Sequence, residues 1–486
     1  PTATELGYPK LNILGWYVFL AAAKTPAPIV EAWNRELTAV LQTYLGTTPG
    51  VVSVAPEGDA YGVKLDFALL LAKLPPEITG SLSPLMLQVT DNGDGTWDYS
   101  MDQSVTLSYA VGTEMSATTT YGSVKLSGVF DEALGDSSEY SLEATDITTE
   151  QTQTDPSMGG QVVIKGTVAS MTYAGNAEAG EAGVDTTFTS TATDMTYDVS
   201  FPTGEGMPPM SVTATIAEGG MEGTATGYRP QAVYGLLAWF VAHPDEAAME
   251  ADKAGLKAQI EGGLPFFDNI SATGSYKTIT VNSPVGPIGL QEAGVAIDMN
   301  GVVSEGLFRE AISLKGLTIP EGIVPPFAAD MVPTDLDIDL AVSGFDLAAP
   351  AMLGLGVLDL PAGTPPAPDF DMQMLGALLP SGAVDITLAP GGITAPGYVL
   401  SYEGAMSAGL MSAPSGDAKI SLTGIEAIMT ALQSAPPEMG AQDILPMIAM
   451  AQGLAKPEGD ALVWEVNMAP TGAVSVNGME LVPGQQ

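Results

Sequence analysis

The chain has 486 residues, too many for one compact core, so its length predicts two to four domains or a repeat array. Its 15 basic and 57 acidic residues give a net charge of −42, and such a surface repels nucleic-acid phosphates and anionic lipid head groups. With no cysteine and a single histidine, the composition excludes disulfides, thiolate chemistry, cysteine–histidine zinc sites and nearly all histidine-based catalysis.

Residues 1–37 form a neutral head that differs in composition from the rest of the chain. The head holds three basic and three acidic residues, so residues 38–486, with 12 basic and 54 acidic residues, carry the whole net charge. The apolar run Leu11–Ala23 predicts a buried strand followed by a loop, and Thr25-Pro26 predicts the start of a helix. The same run, preceded by Lys10 and ending in three alanines, is also compatible with a secretory signal, and it is too short to span a membrane.

From residue 50 onward, apolar residues alternate with polar ones and predict strands with one dry face and one wet face. Antiparallel sheets have this pattern. The clearest runs are residues 63–67, 85–89, 105–109, 210–216, 336–342 and 384–388. Between Ser104 and Gly227 the chain is dominated by threonine, serine, glycine, valine and methionine, which predicts a long sheet.

Helices interrupt the strands at intervals. Helical spacing predicts one helix over residues 233–241, which Pro244 ends, and a second helix through residues 249–260. Near the C-terminus, Thr423 and Glu426 form a capping-box pattern, and another helix follows Pro436-Pro437.

Three stretches share the order of helix, glycine or proline turn, and strand meander: Leu37–Phe67, Tyr234–Met299 and Ile425–Met479. The predicted fold class is therefore mainly β with short helices (α+β), built of antiparallel sheets in repeated helix-then-meander modules. The predicted divisions are residues 1–37, a β-rich part over 38–228, and helix-plus-sheet modules over 229–486.

The head resembles one stretch of the substrate-binding proteins of tripartite tricarboxylate transporters. The matching residues are Pro1-Thr2, Glu5-Leu6-Gly7-Tyr8-Pro9, Trp16-Tyr17, Thr25-Pro26, Ile29-Val30, Asn34 and Leu37. The resemblance implies a periplasmic, two-lobed α/β protein that captures small carboxylates. The ligand-holding loops of that family lie outside this stretch, so the resemblance assigns no ligand residue, and we expect the head to be a fragment or a fusion of two reading frames.

Residues 38–486 resemble a domain-of-unknown-function family of Gram-negative envelope proteins. The matching features are Pro49-Gly50-Val51-Val52, Gly58-Asp59, Lys64-Leu65-Asp66-Phe67, Pro333-Thr334-Asp335-Leu336, Ser343-Gly344-Phe345-Asp346-Leu347, Gly459-Asp460 and Val476-Asn477-Gly478. The resemblance implies a periplasmic, β-rich protein and assigns no catalytic residue. Long sheets with an apolar groove are also similar, at fold level, to envelope proteins that handle lipids.

The densest cluster of oxygen-bearing side chains is Asp91, Asn92, Asp94 and Asp98. Calcium takes six to eight oxygens from alternating loop positions, so Asp91, Asp94 and Asp98 are candidate calcium ligands. Glycines at the third and fifth positions break the EF-hand spacing, and a hairpin turn between two strands explains the same residues.

Three other features have both a chemical and a structural interpretation. His243 is a candidate general base, or a residue at the C-terminal end of a helix. Asp335, Asp337 and Asp339 are candidate paired carboxylates, or the solvated face of one strand. The 23 methionines suit either an adaptable apolar surface or ordinary core packing.

The sequence therefore predicts a non-enzymatic, periplasmic protein of the cell envelope, without a cofactor, that binds an apolar ligand such as a lipid or an envelope protein. One alternative is a receptor for small carboxylates that acts through the head. The other alternative is a calcium-dependent adhesive or structural protein.

Overall fold

The computed structural model describes residues 35, 38–72, 75–155, 160–203, 209–361, 363–410 and 412–484. The strand predicted within residues 11–23 and the start of the helix predicted at Thr25-Pro26 lie outside the described residues. Arg35 is helical, and residues 38–45 form helix α1.

The described strands, 21 in number, belong to one antiparallel sheet, and most of them pair with their neighbours in sequence. Short turns produce this meander because a tight turn can join only antiparallel neighbours. The prediction of a mainly β fold with short helices is confirmed.

The chain divides into two compact units. The first unit comprises the described residues up to Ser190 together with Thr224–Phe267, and the second comprises Thr191–Gly223 together with the described residues from Asp268 onward. Strands β9 (Val184–Phe201) and β10 (Met210–Tyr228) contribute residues to both units.

The first unit consists of four short strands, a meander of four long strands and a group of helices. Its strands are β1 (Val52–Glu57), β2 (Ala60–Leu65), β3 (Ile78–Leu82), β4 (Leu85–Asp91), β5 (Thr96–Val111), β6 (Met115–Asp131), β7 (Asp136–Asp155) and β8 (Gly160–Ala179). Its helices after α1 are α2 (Ala68–Leu71), α3 (Pro230–Ala242), α4 (Glu246–Ala251) and α5 (Lys253–Gly263).

The second unit has a longer series of shorter strands. These are β11 (Asn269–Ser283), β12 (Gly286–Asn300), β13 (Gly306–Lys315), β14 (Asp335–Phe345), β15 (Ala383–Ala395), β16 (Tyr398–Gly409), β17 (Ser415–Thr423), β18 (Lys456–Glu458), β19 (Ala461–Met468), β20 (Val474–Val476) and β21 (Met479–Val482). Its helices are α6 (Ala348–Gly356), α7 (Phe370–Leu378), α8 (Ile425–Ser434) and α9 (Leu445–Leu454), with 3-10 turns at Pro326–Met331, Val357–Asp359, Pro437–Met439 and Ala441–Asp443.

Two helix predictions were wrong in detail. The helix predicted through residues 249–260 is two helices, because Asp252 ends α4 and its carboxylate accepts a hydrogen bond from the Gly255 N–H (3.2 Å) to cap α5. The capping box at Thr423 does not form, because Thr423 is still paired in β17. Gly424 precedes α8 instead, in the left-handed conformation (φ +83°) that glycine adopts without strain.

The core of the first unit lies on the apolar face of its long strands. Met101, Val105, Val124, Ala144 and Ile147 form a buried cluster there. Partly buried apolar residues of the same strands and of neighbouring strands pack against it: Leu82, Leu85, Tyr121, Leu126, Leu142 and Val168. A smaller cluster around Tyr61 and Val63 lies near α1.

Tyrosine rings cover glycines on adjacent strands in both units. The directly opposite pairs are Tyr99 with Gly128, Tyr140 with Gly175, and Tyr402 with Gly391. A Cβ atom on any of these glycines would collide with the ring or hydroxyl of its tyrosine. The glycines are therefore required by the close approach of an aromatic ring and, at each position, of a backbone carbonyl oxygen, that of Glu139, Thr187 and Asp337, respectively.

Candidate functional site

Eight strands of the second unit, β11–β17 and β19, form a sheet whose two faces differ in polarity. In an antiparallel pair, directly opposite residues share a face, and successive residues along a strand alternate between faces. The register thus assigns each side chain to a face. One row of opposite residues crosses this sheet as Ala293, Leu314, Leu336, Ile393, Leu400, Leu422 and Leu462. We call the face that contains this row the apolar face.

The opposite face, which we call the polar face, carries nearly all charged residues of these strands. They are Lys277, Glu292, Asp298, Arg309, Lys315, Asp335, Asp337, Asp339, Asp385, Glu403, Asp417, Lys419 and Glu465. The Arg309 guanidinium makes a forked interaction with Asp339, with Nε to Oδ1 at 2.8 Å and Nη2 to Oδ2 at 2.7 Å. These hydrogen bonds raise the pKa of Arg309.

The apolar face is open to solvent over β12, β13 and β14. Five large apolar side chains there are 37–41 % exposed: Ile297, Phe308, Ile312, Ile338 and Leu340. Ile312 lies opposite Ile338, Ile297 and Leu340 lie in the next row on either side of residue 310, and Phe308 lies in the row after that. We call these five residues the apolar patch. A contiguous exposed patch of this kind marks an interaction surface more often than a single exposed apolar residue does.

One charged side chain lies within the apolar patch. Glu310 is directly opposite both Ile297 and Leu340, and it lies between Phe308 and Ile312 along β13. Among the described residues of the eight strands it is the one charged residue on the apolar face. Its side chain is exposed, so water solvates the carboxylate.

Helix α9 lies against the same face at its far side. Trp464 belongs to the apolar face of β19, and its Nε1 donates a hydrogen bond to the Ala451 carbonyl oxygen of α9 (2.7 Å). Met447 and Met450 on α9 are 64 % and 66 % exposed. Flexible thioether side chains at the margin of an apolar surface adapt to occupants of different shape.

The polar face has a cleft of about 840 Å³. Small polar side chains line its floor, including Ser275, Ser313, Ser401 and Ser421. No polar side chain is fully buried among the residues that the structure describes. The cleft therefore lacks the converging, desolvated polar groups that fix a ligand's orientation in an enclosed site.

The predicted calcium ligands lie at the turn between β4 and β5, as the hairpin interpretation requires. The Asp91 Oδ1 accepts a hydrogen bond from the Gly93 N–H (2.5 Å), and the Asp94 Oδ1 accepts from the Thr96 hydroxyl (2.7 Å). Asn92 Nδ2 donates to Asp98 Oδ1 (2.9 Å). The three carboxylates thus take part in the hydrogen bonds of the turn.

The pKa values of two aspartates in this turn are shifted by their local surroundings. Burial raises the pKa of Asp91, and the hydrogen bond from the Thr96 side chain lowers the pKa of Asp94. Within the described ranges, no group of three or more histidine, aspartate or glutamate side chains is arranged to hold a metal ion.

His243 lies at the C-terminal end of α3, beside the helix break. Its ring stacks on Trp239 with centroids 4.2 Å apart, and its Nδ1 lies 2.7 Å from the Trp239 carbonyl oxygen. Its Nε2 lies 3.3 Å from Asp252 Oδ2, which also accepts a hydrogen bond from Trp239 Nε1 (3.0 Å). These contacts tie the end of α3 to the start of α5.

The three aspartates of β14 lie together on the polar face. Asp339 pairs with Arg309, and Asp335 accepts hydrogen bonds from the Gly316 N–H (3.1 Å) and the Thr334 hydroxyl (2.7 Å). Because aspartates and apolar residues alternate along β14, the three aspartates share the strand face opposite the apolar patch.

Comparisons with protein-family models, with curated proteins and with solved structures find no match. In the part of the chain that the structure describes, no helix combines the length and the apolar character needed to cross a bilayer.

Glu310 was missed in the sequence, although a signal for it exists. Along β13, Phe308, Glu310, Ile312 and Leu314 alternate with less apolar residues, so an acid replaces one member of an apolar series. The exposure of the apolar patch carried no sequence signal, because alternation shows which residues share a face but not whether another element covers them.

Proposed function

We propose that this protein is a non-enzymatic binding protein that holds an apolar ligand on the apolar patch of its second unit. The observation that carries the proposal is the exposure of five large apolar side chains on three adjacent strands. Covering a half-exposed isoleucine, leucine or phenylalanine contributes about 1 kcal/mol each, so a hydrocarbon chain across the patch gains useful binding free energy.

The cell envelope, and the periplasm in particular, is the proposed location. The resemblance of residues 38–486 to an envelope family supports it, as does the absence of cysteine, which avoids mispairing in an oxidising compartment. The charge of −42 disfavours docking on an anionic membrane surface or on nucleic acid. Separation of periplasmic from cytoplasmic fractions tests this location, and recovery in the cytoplasm alone would contradict it.

We also retain the three helix-then-meander stretches as proposed repeat modules. The order of elements supports this proposal, because α1 precedes β1 and β2, α3–α5 precede β11 and β12, and α8 and α9 precede β18–β21. Separate expression of Ile425–Met479, which lies within the second unit, tests whether one such stretch folds as a module, and an unfolded product would count against it.

Titration with the uncharged fluorescent probe N-phenyl-1-naphthylamine tests binding at the apolar patch. In the double variant Ile312→Ser/Ile338→Ser we expect the affinity to fall about tenfold, because two apolar contacts are lost. Val399→Ser is the matched control, since Val399 is 41 % exposed but lies on the polar face. An unchanged affinity in the double variant, or an equal loss in the control, would contradict the proposal.

A further inference from the structure

Glu310 is a charged residue within the apolar patch, and a purely hydrocarbon ligand would offer no partner to its carboxylate. Its carboxylate lies between Ile297 and Leu340 across the strands and between Phe308 and Ile312 along β13. An exposed carboxylate is well solvated, but any occupant of the patch removes water from it. Removing water from a charge without supplying a partner opposes binding.

The protein does not supply this partner from the second unit. The five basic residues of that unit are Lys277, Arg309, Lys315, Lys419 and Lys456. Each lies within 4.0 Å of a carboxylate other than Glu310: Glu218, Asp339, Glu292, Glu458 and Glu465, respectively. Arg309 is the neighbour of Glu310 in sequence, but alternation places it on the polar face, where it is bound to Asp339.

The size of the apolar patch favours a small amphiphile over a folded partner. Three strands and the four-residue step from Phe308 to Ile312 span roughly 14 Å by 13 Å, which is about 200 Å². A specific protein interface buries about 800 Å² on each partner. A single hydrocarbon chain with one head group matches the smaller area.

From this charge complementarity we infer that the ligand is an amphiphile with a hydrocarbon chain and a cationic ammonium head group, and that Glu310 binds the ammonium. The inference rests on the proposed function, since it assigns a head group to the ligand of the same patch. The ammonium supplies the counter-charge that the second unit lacks there, and an anionic head group would be repelled by both Glu310 and the net charge of −42.

Isothermal titration with two detergents of equal chain length, below their critical micelle concentrations and at 0.15 M salt, tests this inference. The probes are dodecyltrimethylammonium and the uncharged octaethylene glycol monododecyl ether. We expect the full-length protein to bind the ammonium probe about tenfold more tightly than the uncharged one. In Glu310→Gln this preference should fall to within about twofold, while the affinity for the uncharged probe stays the same or rises.

Glu403→Gln is the matched control, because Glu403 is an exposed strand carboxylate on the polar face and its loss changes the net charge by the same amount. It should keep the tenfold preference.

If Glu310→Gln keeps the preference too, the selectivity comes from the overall charge and the inference is wrong. If a basic amphipathic peptide shows a Glu310-dependent affinity and the ammonium probe does not, the assigned ligand class is wrong. If Ile312→Ser/Ile338→Ser loses the binding of both probes but Glu310→Gln leaves the preference unchanged, the proposed function is upheld and the inference about the head group is wrong. If neither probe binds the wild-type protein saturably, the proposed function and the inference are both wrong.

Discussion

The two units are both built of antiparallel strands that have an apolar face, but the exposure of that face differs between them. In the first unit, Met101, Val124 and Ala144 on that face are 9 %, 6 % and 1 % exposed, because Leu82 and Leu85 and the neighbouring strands pack over them. In the second unit, Ile312 and Ile338 on the apolar face are 40 % and 38 % exposed. The same alternation thus gives a core in one unit and an open surface in the other, and the covering elements decide which.

The first unit also has exposed large apolar residues, but they are fewer and are distributed over α2, α3, β3, β4, β5 and β8. Leu107, Tyr109 and Val111 are 38–39 % exposed near the end of β5, and Ile78 lies opposite Val111. In the second unit the apolar patch spans three adjacent strands and surrounds the Glu310 carboxylate. This difference is why we assign ligand binding to the second unit.

The largest expected effect is on the free energy of unfolding. It comes from shortening an isoleucine to alanine, once in the core of the first unit and once in the apolar patch of the second. Ile147 is 7 % exposed in the core of the first unit, and Ile338 is 38 % exposed in the apolar patch. Ile147→Ala should lower the free energy of unfolding by about 3 kcal/mol, because it leaves a cavity, and Ile338→Ala by less than about 1 kcal/mol. Urea unfolding followed by circular dichroism measures both. Equal losses would show that the apolar patch is a core surface after all.

Adding a methyl group beneath a tyrosine ring should have the next largest effect. Gly128→Ala forces the Tyr99 ring to move, disturbs the hydrogen bond between the Tyr99 hydroxyl and Ser137 Oγ (2.9 Å) and brings the new Cβ against the Glu139 carbonyl oxygen, so we expect a loss of about 2 kcal/mol. Gly262→Ala is the control, because no atom lies within 4 Å of a Cβ there. The loss for Gly128→Ala should shrink in a Tyr99→Ala background, and an unchanged loss would refute the role of the ring.

A smaller effect is expected at the ion pairs of the two units. Arg309 and Asp339 form a forked pair, with side chains 40 % and 25 % exposed, so a double-mutant cycle with alanine should give a coupling free energy of about 1 kcal/mol. The pair of Lys165 and Glu150 in the first unit is 3.6 Å apart and more than 60 % exposed on both sides. Its coupling should be below about 0.3 kcal/mol. Equal couplings would contradict the geometric argument.

The smallest effect concerns pH and separates two carboxylates of the first unit. Burial raises the pKa of Asp136, so the folded state holds its proton to a higher pH than the unfolded state, and its contribution to stability falls as the pH rises above the ordinary carboxyl range. Asp136→Asn should therefore gain stability relative to wild type between pH 4 and pH 7, since asparagine can still accept the hydrogen bond from the Ser137 N–H.

Asp94 supplies the control with the opposite sign. Hydrogen bonds from Thr96 lower the pKa of Asp94, so its contribution is present above the ordinary carboxyl range and is lost as the pH falls. Asp94→Asn should lose stability relative to wild type as the pH rises from 3 to 7. Chemical unfolding at a series of pH values measures both variants, and the same sign for the two would contradict the assigned causes.

The alternation of apolar residues was enough to predict strands such as β4, β10, β14 and β15, because a period of two is a direct consequence of strand geometry. The sequence pattern did not predict Gly424 as the residue before α8. Thr423 matches a helix-capping pattern, but in the structure it pairs with β16 as the last residue of β17. The position of Glu310 beside Ile297 and Leu340 follows from long-range register, which a single sequence does not specify.

Photolabelling with an uncharged, diazirine-tagged hydrocarbon tests most directly whether the second unit is the binding surface. Mass spectrometry of the digested protein then compares label on β13 and β14 with label on β5. We expect most of the label in Gly306–Lys315 and Asp335–Phe345, and we expect less label there in Ile312→Ser/Ile338→Ser. Label concentrated on Thr96–Val111, or spread evenly over both units, would contradict it.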